Sequence, residues 1–230
     1  MDKPEIVLGY WKIRGLAEPI RLLLEHLGVH YKEEEYELGD APDFNPEQWA
    51  SKKHTLGLEF PNLPYLIDGS LKITETLAIM RYICNKHDPK LMGAKLEEQA
   101  KVDELAGLLS DLNNYKTIIC YAKNPEDVPK NVLQGLEEKI KSLAKVLGTR
   151  KHVAGDKLTY IDFYCVELLE AINDLIEPIF KTYPIFEHYF KGIMNLPNIQ
   201  KYRNSDKFLK DAKAYNNKIA RLGSTLVKKD

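Results

Sequence analysis

Strand signals in this chain are confined to its first third, and this asymmetry constrains the fold more than any other feature. Short apolar runs rich in β-branched and aromatic residues fall before residue 75. From Ala94 onward such runs nearly vanish, and apolar residues recur every three or four positions, as on amphipathic helices. The pattern predicts an α/β N-terminal domain at residues 1–87, a linker at 88–93 and an all-α helical domain at 94–230.

The order of elements in the N-terminal domain narrows the fold further. A strand from Ile6, a helix that ends at Leu27 and a second strand at residues 31–38 predict a parallel pair with a right-handed crossover. A long irregular section, 39–64, precedes a hairpin at 65–73 around an Asp68-Gly69 turn. With the helix that follows, this order resembles the thioredoxin-like fold.

Two threonines stand where helices are predicted to begin. Thr74 ends the hairpin and precedes a helical pattern that runs to Lys86. Thr159 precedes another such pattern, and Asp162 lies three residues later, in the spacing of a capping box. We expect Asp162 to stabilise the fold rather than to take part in catalysis.

Charge and composition argue against several classes of function. The chain has 33 Lys and Arg residues against 34 Asp and Glu, so no overall field attracts nucleic acid or an anionic membrane. No apolar run approaches the roughly 18 residues of a membrane span, and the N-terminus lacks the pattern of a signal peptide. Cys84, Cys120 and Cys165 lie far apart among apolar residues, which favours buried thiols over a metal site. We expect a cytoplasmic protein without a metal.

Two aromatic residues, Tyr10 and Trp11, stand where the first strand should end. In open α/β sheets, ligands bind just beyond the carboxyl ends of the strands. The residues alone leave two interpretations open. They form part of a ligand site, or their rings only close the core.

Several longer motifs stand in order along the chain. They are Leu8-Gly9-Tyr10-Trp11, Ile13-Arg14-Gly15-Leu16, Gly39-Asp40-Ala41-Pro42-Asp43, Pro61-Asn62-Leu63-Pro64-Tyr65 and Leu158-Thr159-Tyr160-Ile161-Asp162-Phe163. Together they resemble the mu class of the glutathione transferases, over about residues 6–208. The resemblance implies a thioredoxin-like domain followed by an all-α domain, and conjugation of glutathione to hydrophobic electrophiles in detoxification. It also implies glutathione as co-substrate, no cofactor, and a homodimer.

The resemblance assigns the catalytic role to Tyr10, whose hydroxyl would donate a hydrogen bond to the thiolate of glutathione. The residues that it implies for glutathione binding are Tyr10, Trp11, Leu16, Trp49, Lys53, Asn62, Leu63, Glu75, Thr76 and Asp111. The electrophile would lie against Trp11, Ile13, Leu16 and Tyr121.

Each end of glutathione needs its own chemical partner. By resemblance, Leu63-Pro64 is a cis bond that turns the Leu63 backbone toward the cysteinyl unit. The γ-glutamyl carboxylate would lie at Thr76, where a helix begins, and Glu75 would face the ammonium group. Trp49 and Lys53 would hold the glycine carboxylate.

Two residues would act between subunits. Phe60 resembles an aromatic key that inserts into the partner subunit, and Asp111 aligns with an acidic residue that reaches the partner's ligand. The alternatives are local packing for Phe60 and an ordinary solvated helix carboxylate for Asp111. Tyr121 is also compatible with a simple helix-end aromatic.

The chain departs from the family pattern at three places. Glu75 and Pro46 replace the glutamine and arginine common in the family, and the tail after Phe208 diverges, so a role for Ala214 or Tyr215 in the electrophile pocket is weakly supported. Two other functions stay open: a carrier of apolar ligands, or an isomerase or prostaglandin-forming relative on the same fold. The 39–49 loop argues against the latter.

Overall fold

The structure, a computed structural model, describes residues 5–148, 150–209 and 215–220. Its first part alternates strands and helices as the sequence predicts, with one short additional helix inside the irregular section. The bounds are β1 Ile6–Trp11, α1 Glu18–Leu27, β2 Tyr31–Tyr36, α2 Glu47–Ala50, β3 Tyr65–Asp68, β4 Leu71–Thr74 and α3 Thr76–His87.

The four strands form one sheet in the order β2-β1-β3-β4. β1 runs parallel to β2, with Ile6 opposite Tyr31, which confirms the predicted parallel pair. β1 is antiparallel to β3, with Gly9 opposite Tyr65, and β3 is antiparallel to β4. β1 therefore lies inside the sheet, and its carboxyl end meets the start of β3.

The predicted hairpin is present, but its turn lies one residue later than predicted. Asp68 pairs with Leu71, so the central turn residues are Gly69 and Ser70 rather than Asp68 and Gly69. The Asp68 carboxylate instead accepts hydrogen bonds from two α3 side chains, the Tyr82 hydroxyl at 2.8 Å and the Lys86 ammonium group. A tertiary contact thus keeps Asp68 in the strand.

The prediction that Thr74 caps α3 is wrong. The helix is preceded by Glu75, which has a positive φ of 73°. The Thr74 hydroxyl donates to the carbonyl of Phe60 at 3.1 Å, so it anchors the preceding loop instead of the helix.

A short 3-10 turn, Pro89–Met92, leads into a part in which the described residues form helices and one isolated β-bridge, between His152 and Gly155. These helices are α4 Leu96–Tyr121, α5 Lys130–Leu147, α6 Tyr160–Leu175, α7 Ile179–Thr182, α8 Pro184–Met194 and α9 Pro197–Arg203. The predicted fold class, an α/β thioredoxin-like part followed by an all-α part, is confirmed.

The core is centred on α6, which packs against α1, α4 and α8. The predicted capping box at its start is confirmed: the Asp162 carboxylate accepts from the Thr159 N–H at 2.8 Å. The same carboxylate also accepts from the Val153 N–H at 2.9 Å and from the Tyr189 hydroxyl at 2.7 Å. Asp162 therefore joins α6 to the preceding loop and to α8.

The cysteines are buried and unpaired, as predicted, and burial raises the pKa of each thiol. Within the described ranges, no cluster of three or more His, Cys, Asp or Glu side chains is arranged to hold a metal ion. None of the helices in that part of the chain combines the length and apolar character needed to cross a lipid bilayer.

Candidate functional site

Tyr10 lies near the carboxyl end of β1 and is almost fully buried. The backbone N–H of Leu16 donates a hydrogen bond to its hydroxyl oxygen at 3.0 Å. Gly15 makes this approach possible, because a Cβ at Gly15 would lie 2.7 Å from that oxygen, and because its φ is +42°. The turn after β1 thus aims the phenol, and the hydroxyl proton stays free for a second partner.

Burial raises the pKa of Tyr10 to about 12. At neutral pH the phenol therefore keeps its proton. A buried, protonated hydroxyl that already accepts one hydrogen bond is suited to donate to an anion, and it is a poor general base.

Ion pairs with residues of the helical part of the chain fix the turn that contacts Tyr10. The Arg14 guanidinium pairs with Glu167 and Glu170 of α6. Glu170 also accepts from Arg203 of α9 at 2.7 and 3.0 Å. The Arg14 carbonyl accepts from the N–H of Glu18 at 2.9 Å, which starts α1. No local sequence pattern indicates this cluster, because its members lie far apart along the chain.

The bond between Leu63 and Pro64 is cis, as the family resemblance implies. If the β1–β3 register continues beyond the pair of Gly9 and Tyr65, Pro64 lies opposite Tyr10. Leu63 is buried and Asn62 is exposed. The segment before β3 therefore borders the end of β1 that carries the phenol.

The N-terminus of α3 contacts the turn that follows β1. The Thr76 hydroxyl donates to the carbonyl of Leu16 at 3.0 Å, so the turn that contacts Tyr10 also contacts the helix N-terminus. Glu75 is exposed, and a positive φ at a residue other than glycine costs of the order of 1–3 kcal/mol. Such conformations cluster at ligand sites, and here the strained residue presents a carboxylate beside free helix N–H groups.

Trp49 and Lys53 come from the irregular section before β3. The Trp49 indole packs on Tyr36, with ring centroids 5.4 Å apart, and stacks on Tyr65 at 6.0 Å. The Lys53 N–H donates to the Trp49 carbonyl at 2.9 Å, so the two residues share one turn. Lys53 is half-buried, and its ammonium group forms no ion pair with any described residue.

Trp11, Ile13 and Leu16 are half-buried on the two sides of the Arg14 turn. Tyr121, at the end of α4, contributes to the raised pKa of Tyr10, so the two phenols lie near each other. The Tyr121 hydroxyl accepts from the Asn217 N–H at 3.1 Å, and its own proton remains available. Leu16 and Tyr121 therefore lie near the Tyr10 hydroxyl, and a role in the electrophile pocket stays a prediction for Trp11, Ile13, Leu16 and Tyr121.

Tyr215 packs beneath this turn, and the Arg14 guanidinium lies 4.2 Å from the centroid of its ring. Its hydroxyl donates to Asp174 at 2.9 Å. Ala214, the other tail residue considered for the pocket, lies outside the described residues. Tyr215 therefore packs against Arg14, the residue whose ion pairs hold the turn after β1.

Two predicted residues lie away from this cluster. Asp111 on α4 is exposed and forms an ion pair with Lys139 of α5 at 2.9 Å. Phe60 is 71% exposed although its carbonyl is fixed by Thr74. Both side chains are therefore accessible at the surface of the protomer.

Lys116 is a residue that the sequence interpretation missed. Its side chain is buried on the inner face of α4, beside a cavity of about 10 Å³ that Gly15, Leu16 and Tyr164 also line. It forms no hydrogen bond or ion pair with a described residue, and burial lowers its pKa. The helical spacing of α4 offered the only signal, because position 116 falls on the buried stripe between Leu112 and Cys120.

Comparison with known proteins agrees with this geometry. The family model "Glutathione S-transferase, N-terminal domain" matches residues 6–85, and the model of the C-terminal domain matches residues 110–206. The chain is 42% identical over 205 residues to glutathione S-transferase Mu 1 of Bos taurus, a match that covers 89% of this chain and 93% of the relative. Glutathione S-transferase Mu 2 of Mus musculus matches with the same identity and coverage.

A solved structure gives the same result. The crystal structure of the glutathione S-transferase Blo t 8 matches with a TM-score of 0.78 and 32% sequence identity, over 94% of this chain and 99% of that chain. The sequence relatives and the fold thus agree. The chain belongs to the mu class of the glutathione S-transferase family.

Proposed function

We propose that this protein conjugates glutathione to hydrophobic electrophiles, with Tyr10 as the catalytic residue. The observation that carries this proposal is the Tyr10 hydroxyl, which accepts from Leu16 at 3.0 Å and keeps a proton that it can donate. The raised pKa of about 12 keeps the phenol protonated. A bound thiolate would be the natural acceptor at the end of β1.

The reaction needs the thiolate, because the thiol of free glutathione is a weak nucleophile near neutral pH. A charge-assisted hydrogen bond stabilises an anion by ~1.5–3 kcal/mol, which lowers the thiol pKa by roughly one to two units. The thiol proton leaves to solvent, and the sulfur then forms a bond to the electrophilic carbon. Tyr10 donates to the sulfur and takes up no proton itself.

We place glutathione along the edge formed by β1, β3 and α3. The free N–H groups at Thr76 would bind the γ-glutamyl carboxylate, and Glu75 would face the ammonium group. The backbone of Leu63 would pair with the cysteinyl unit. The ammonium group of Lys53, with the indole N–H of Trp49, would bind the glycine carboxylate.

Two further residues border the same path. Asn62 is exposed beside Leu63, and Leu16 lies on the turn that contacts both Tyr10 and Thr76. The electrophile would occupy the apolar surface of Trp11, Ile13 and Leu16. The proton of Tyr121 would there stabilise charge that develops on the substrate.

We propose a homodimer as the working form. Phe60 would insert into the partner subunit, and Asp111 would reach the ligand of the partner subunit. Residues 1–87 would form the glutathione-binding domain, and residues 88–93 would link it to the helical domain. Residues 94–230, the helical domain, would supply the electrophile site. We propose detoxification in the cytoplasm as the setting, with glutathione as co-substrate and with no cofactor, metal, nucleic acid or membrane as a partner.

Two measurements on the purified dimer test this function. We expect retention on immobilised glutathione, elution by free glutathione, and turnover of chlorodinitrobenzene with glutathione. Retention without turnover would favour a carrier of apolar ligands over a transferase. Failure to bind immobilised glutathione would contradict the proposed site as a whole.

A further inference from the structure

A cavity in the helical part of the chain shares no residue with the candidate site. It has a volume of about 350 Å³ and lies between the loop 150–158 and α8. Its apolar walls are Leu158, Ile185, Ile193 and Leu196. Sites for small organic ligands have volumes of roughly 300–1,000 Å³ and mostly apolar walls, so this cavity can hold a compact ligand.

The polar lining of the cavity is basic. Arg150, Lys151 and His188 line it, and no acidic side chain of the described residues does. None of these three forms an ion pair with another described residue. By contrast, Lys191 on the same helix pairs with Glu187 at 2.7 Å. Arg150 and Lys151 therefore keep their capacity to pair with an anion.

The fourth basic residue of the lining, His152, has a different character. Burial lowers its pKa, and its Nδ1 atom lies 3.9 Å from the Asp162 carboxylate without a hydrogen bond. It is neutral at neutral pH. The positive charge of the cavity thus resides mainly on Arg150 and Lys151.

The cavity is held open by the fold itself. Asp162 accepts from the Val153 N–H on one side of it and from the Tyr189 hydroxyl of α8 on the other, at 2.9 and 2.7 Å. An Arg150 guanidinium nitrogen donates to the Val153 carbonyl at 3.3 Å, which keeps that side chain at the rim. A preformed site avoids part of the entropic cost of binding.

We propose that this cavity binds a small amphipathic organic anion, a carboxylate or sulfonate on a compact apolar body, independently of the glutathione site. The body would contact the aliphatic walls. The anionic group would pair with Arg150 and Lys151, neither of which forms an ion pair with a described residue.

A fluorescent probe of this class tests the site. Anilinonaphthalene sulfonate is titrated into the purified protein while excess S-hexylglutathione occupies the glutathione and electrophile sites. Gly192 lines the cavity, and a Cβ added there meets no atom within 4 Å, so Gly192→Leu introduces a bulky side chain at the cavity wall without a clash at its Cβ. We expect the residual probe binding to weaken at least about tenfold in Gly192→Leu.

Gly192→Ala is the matched control, because it brings a similar gain in helix propensity but little volume. We expect probe affinity within about twofold of the parent, and unchanged conjugation rates in both variants. Displacement of all bound probe by S-hexylglutathione, or equal affinity in Gly192→Leu and the parent, would overturn the proposal.

A second pair of variants tests the charge. Arg150→Glu with Lys151→Glu should weaken sulfonate binding at least about tenfold and leave the uncharged phenylnaphthylamine nearly unaffected. Lys130→Glu, at the far end of α5, carries the same kind of charge change away from the cavity and should leave both affinities unchanged. Unchanged sulfonate affinity in the double variant would overturn the recognition of an anion.

Discussion

At the scale of single residues, the site and its surroundings contain groups in energetically unfavourable states. Among the described residues, neither the buried ammonium group of Lys116 nor the half-buried one of Lys53 has a hydrogen-bond partner or a counter-ion. Glu75 holds a positive φ of 73° that a glycine would adopt at lower cost. Chains retain such features at a cost in stability, so each one carries a prediction.

Lys116→Met should stabilise the fold, because it replaces a buried charge by an apolar side chain of similar length. We expect the free energy of unfolding to rise by at least ~1 kcal/mol near neutral pH. Denaturant titration of the variant against the exposed control Lys123→Met measures it. A loss of stability would show that Lys116 has a favourable partner.

The same variant makes a prediction about pH. Burial lowers the pKa of Lys116 in the folded chain, whereas the unfolded chain titrates near 10.5. The charged form is thus disfavoured on folding, and this penalty is full at low pH and relieved as pH rises toward 10.5. The advantage of Lys116→Met should therefore shrink as pH rises, and an advantage that grows with pH would contradict this account.

Lys53→Ala should weaken glutathione binding about tenfold with less than about a twofold change in kcat, because the lost ion pair is present in both ground and transition states. Steady-state kinetics at varied glutathione concentration measure both constants. Lys52→Ala removes an exposed neighbour of the same charge and should change neither. A lowered kcat with unchanged affinity would contradict the assignment.

At the scale of elements, periodicity and turn residues predicted most of the fold. The parallel β1–β2 pair, the hairpin, the long α4 and the capping box of α6 all follow from local pattern. The errors have tertiary causes. Asp68 lies in the strand rather than in the turn because its carboxylate accepts hydrogen bonds from Tyr82 and Lys86. Thr74 does not cap α3 because its hydroxyl donates to the Phe60 carbonyl.

The capping box does more than its local spacing indicates. Asp162 satisfies the Val153 N–H and the Tyr189 hydroxyl as well as the N–H of Thr159. Asp162→Ala should therefore lower the free energy of unfolding by about 2–4 kcal/mol, more than the loss of a cap alone.

Thermal or denaturant unfolding measures this effect. Asp156→Ala removes an exposed carboxylate from the same loop and should shift stability by less than about 0.5 kcal/mol. Equal stability of the two variants would contradict the role that we give to the Asp162 network.

At the scale of the whole molecule, the site is assembled from distant parts of the chain. Leu16 and Thr76, two of the residues that the motif resemblance implies, meet at the turn beside Tyr10. The support beneath them, from Arg14 to Glu167, spans 153 residues and has no local signature. Motif resemblance therefore singled out residues at the proposed ligand edge, but not those that hold the turn after β1.

Phe60→Ser should shift the protein toward monomer, because it removes a 71% exposed aromatic ring from a loop whose backbone is anchored. Sedimentation over a range of concentrations measures the dissociation constant of the dimer. Leu96→Ser removes another exposed apolar side chain, 79% exposed, and should leave assembly unchanged. An equally tight dimer in Phe60→Ser would contradict the proposed contact.

The central claim is that Tyr10 donates a hydrogen bond to the glutathione thiolate, and the titration of the bound thiol tests it most directly. Thiolate absorbance of the complex against pH gives the thiol pKa in the parent, in Tyr10→Phe and in Tyr121→Phe. We predict a pKa roughly one to two units below that of free glutathione in the parent and in Tyr121→Phe, and loss of most of that shift in Tyr10→Phe. An unchanged thiol pKa in Tyr10→Phe would contradict the account.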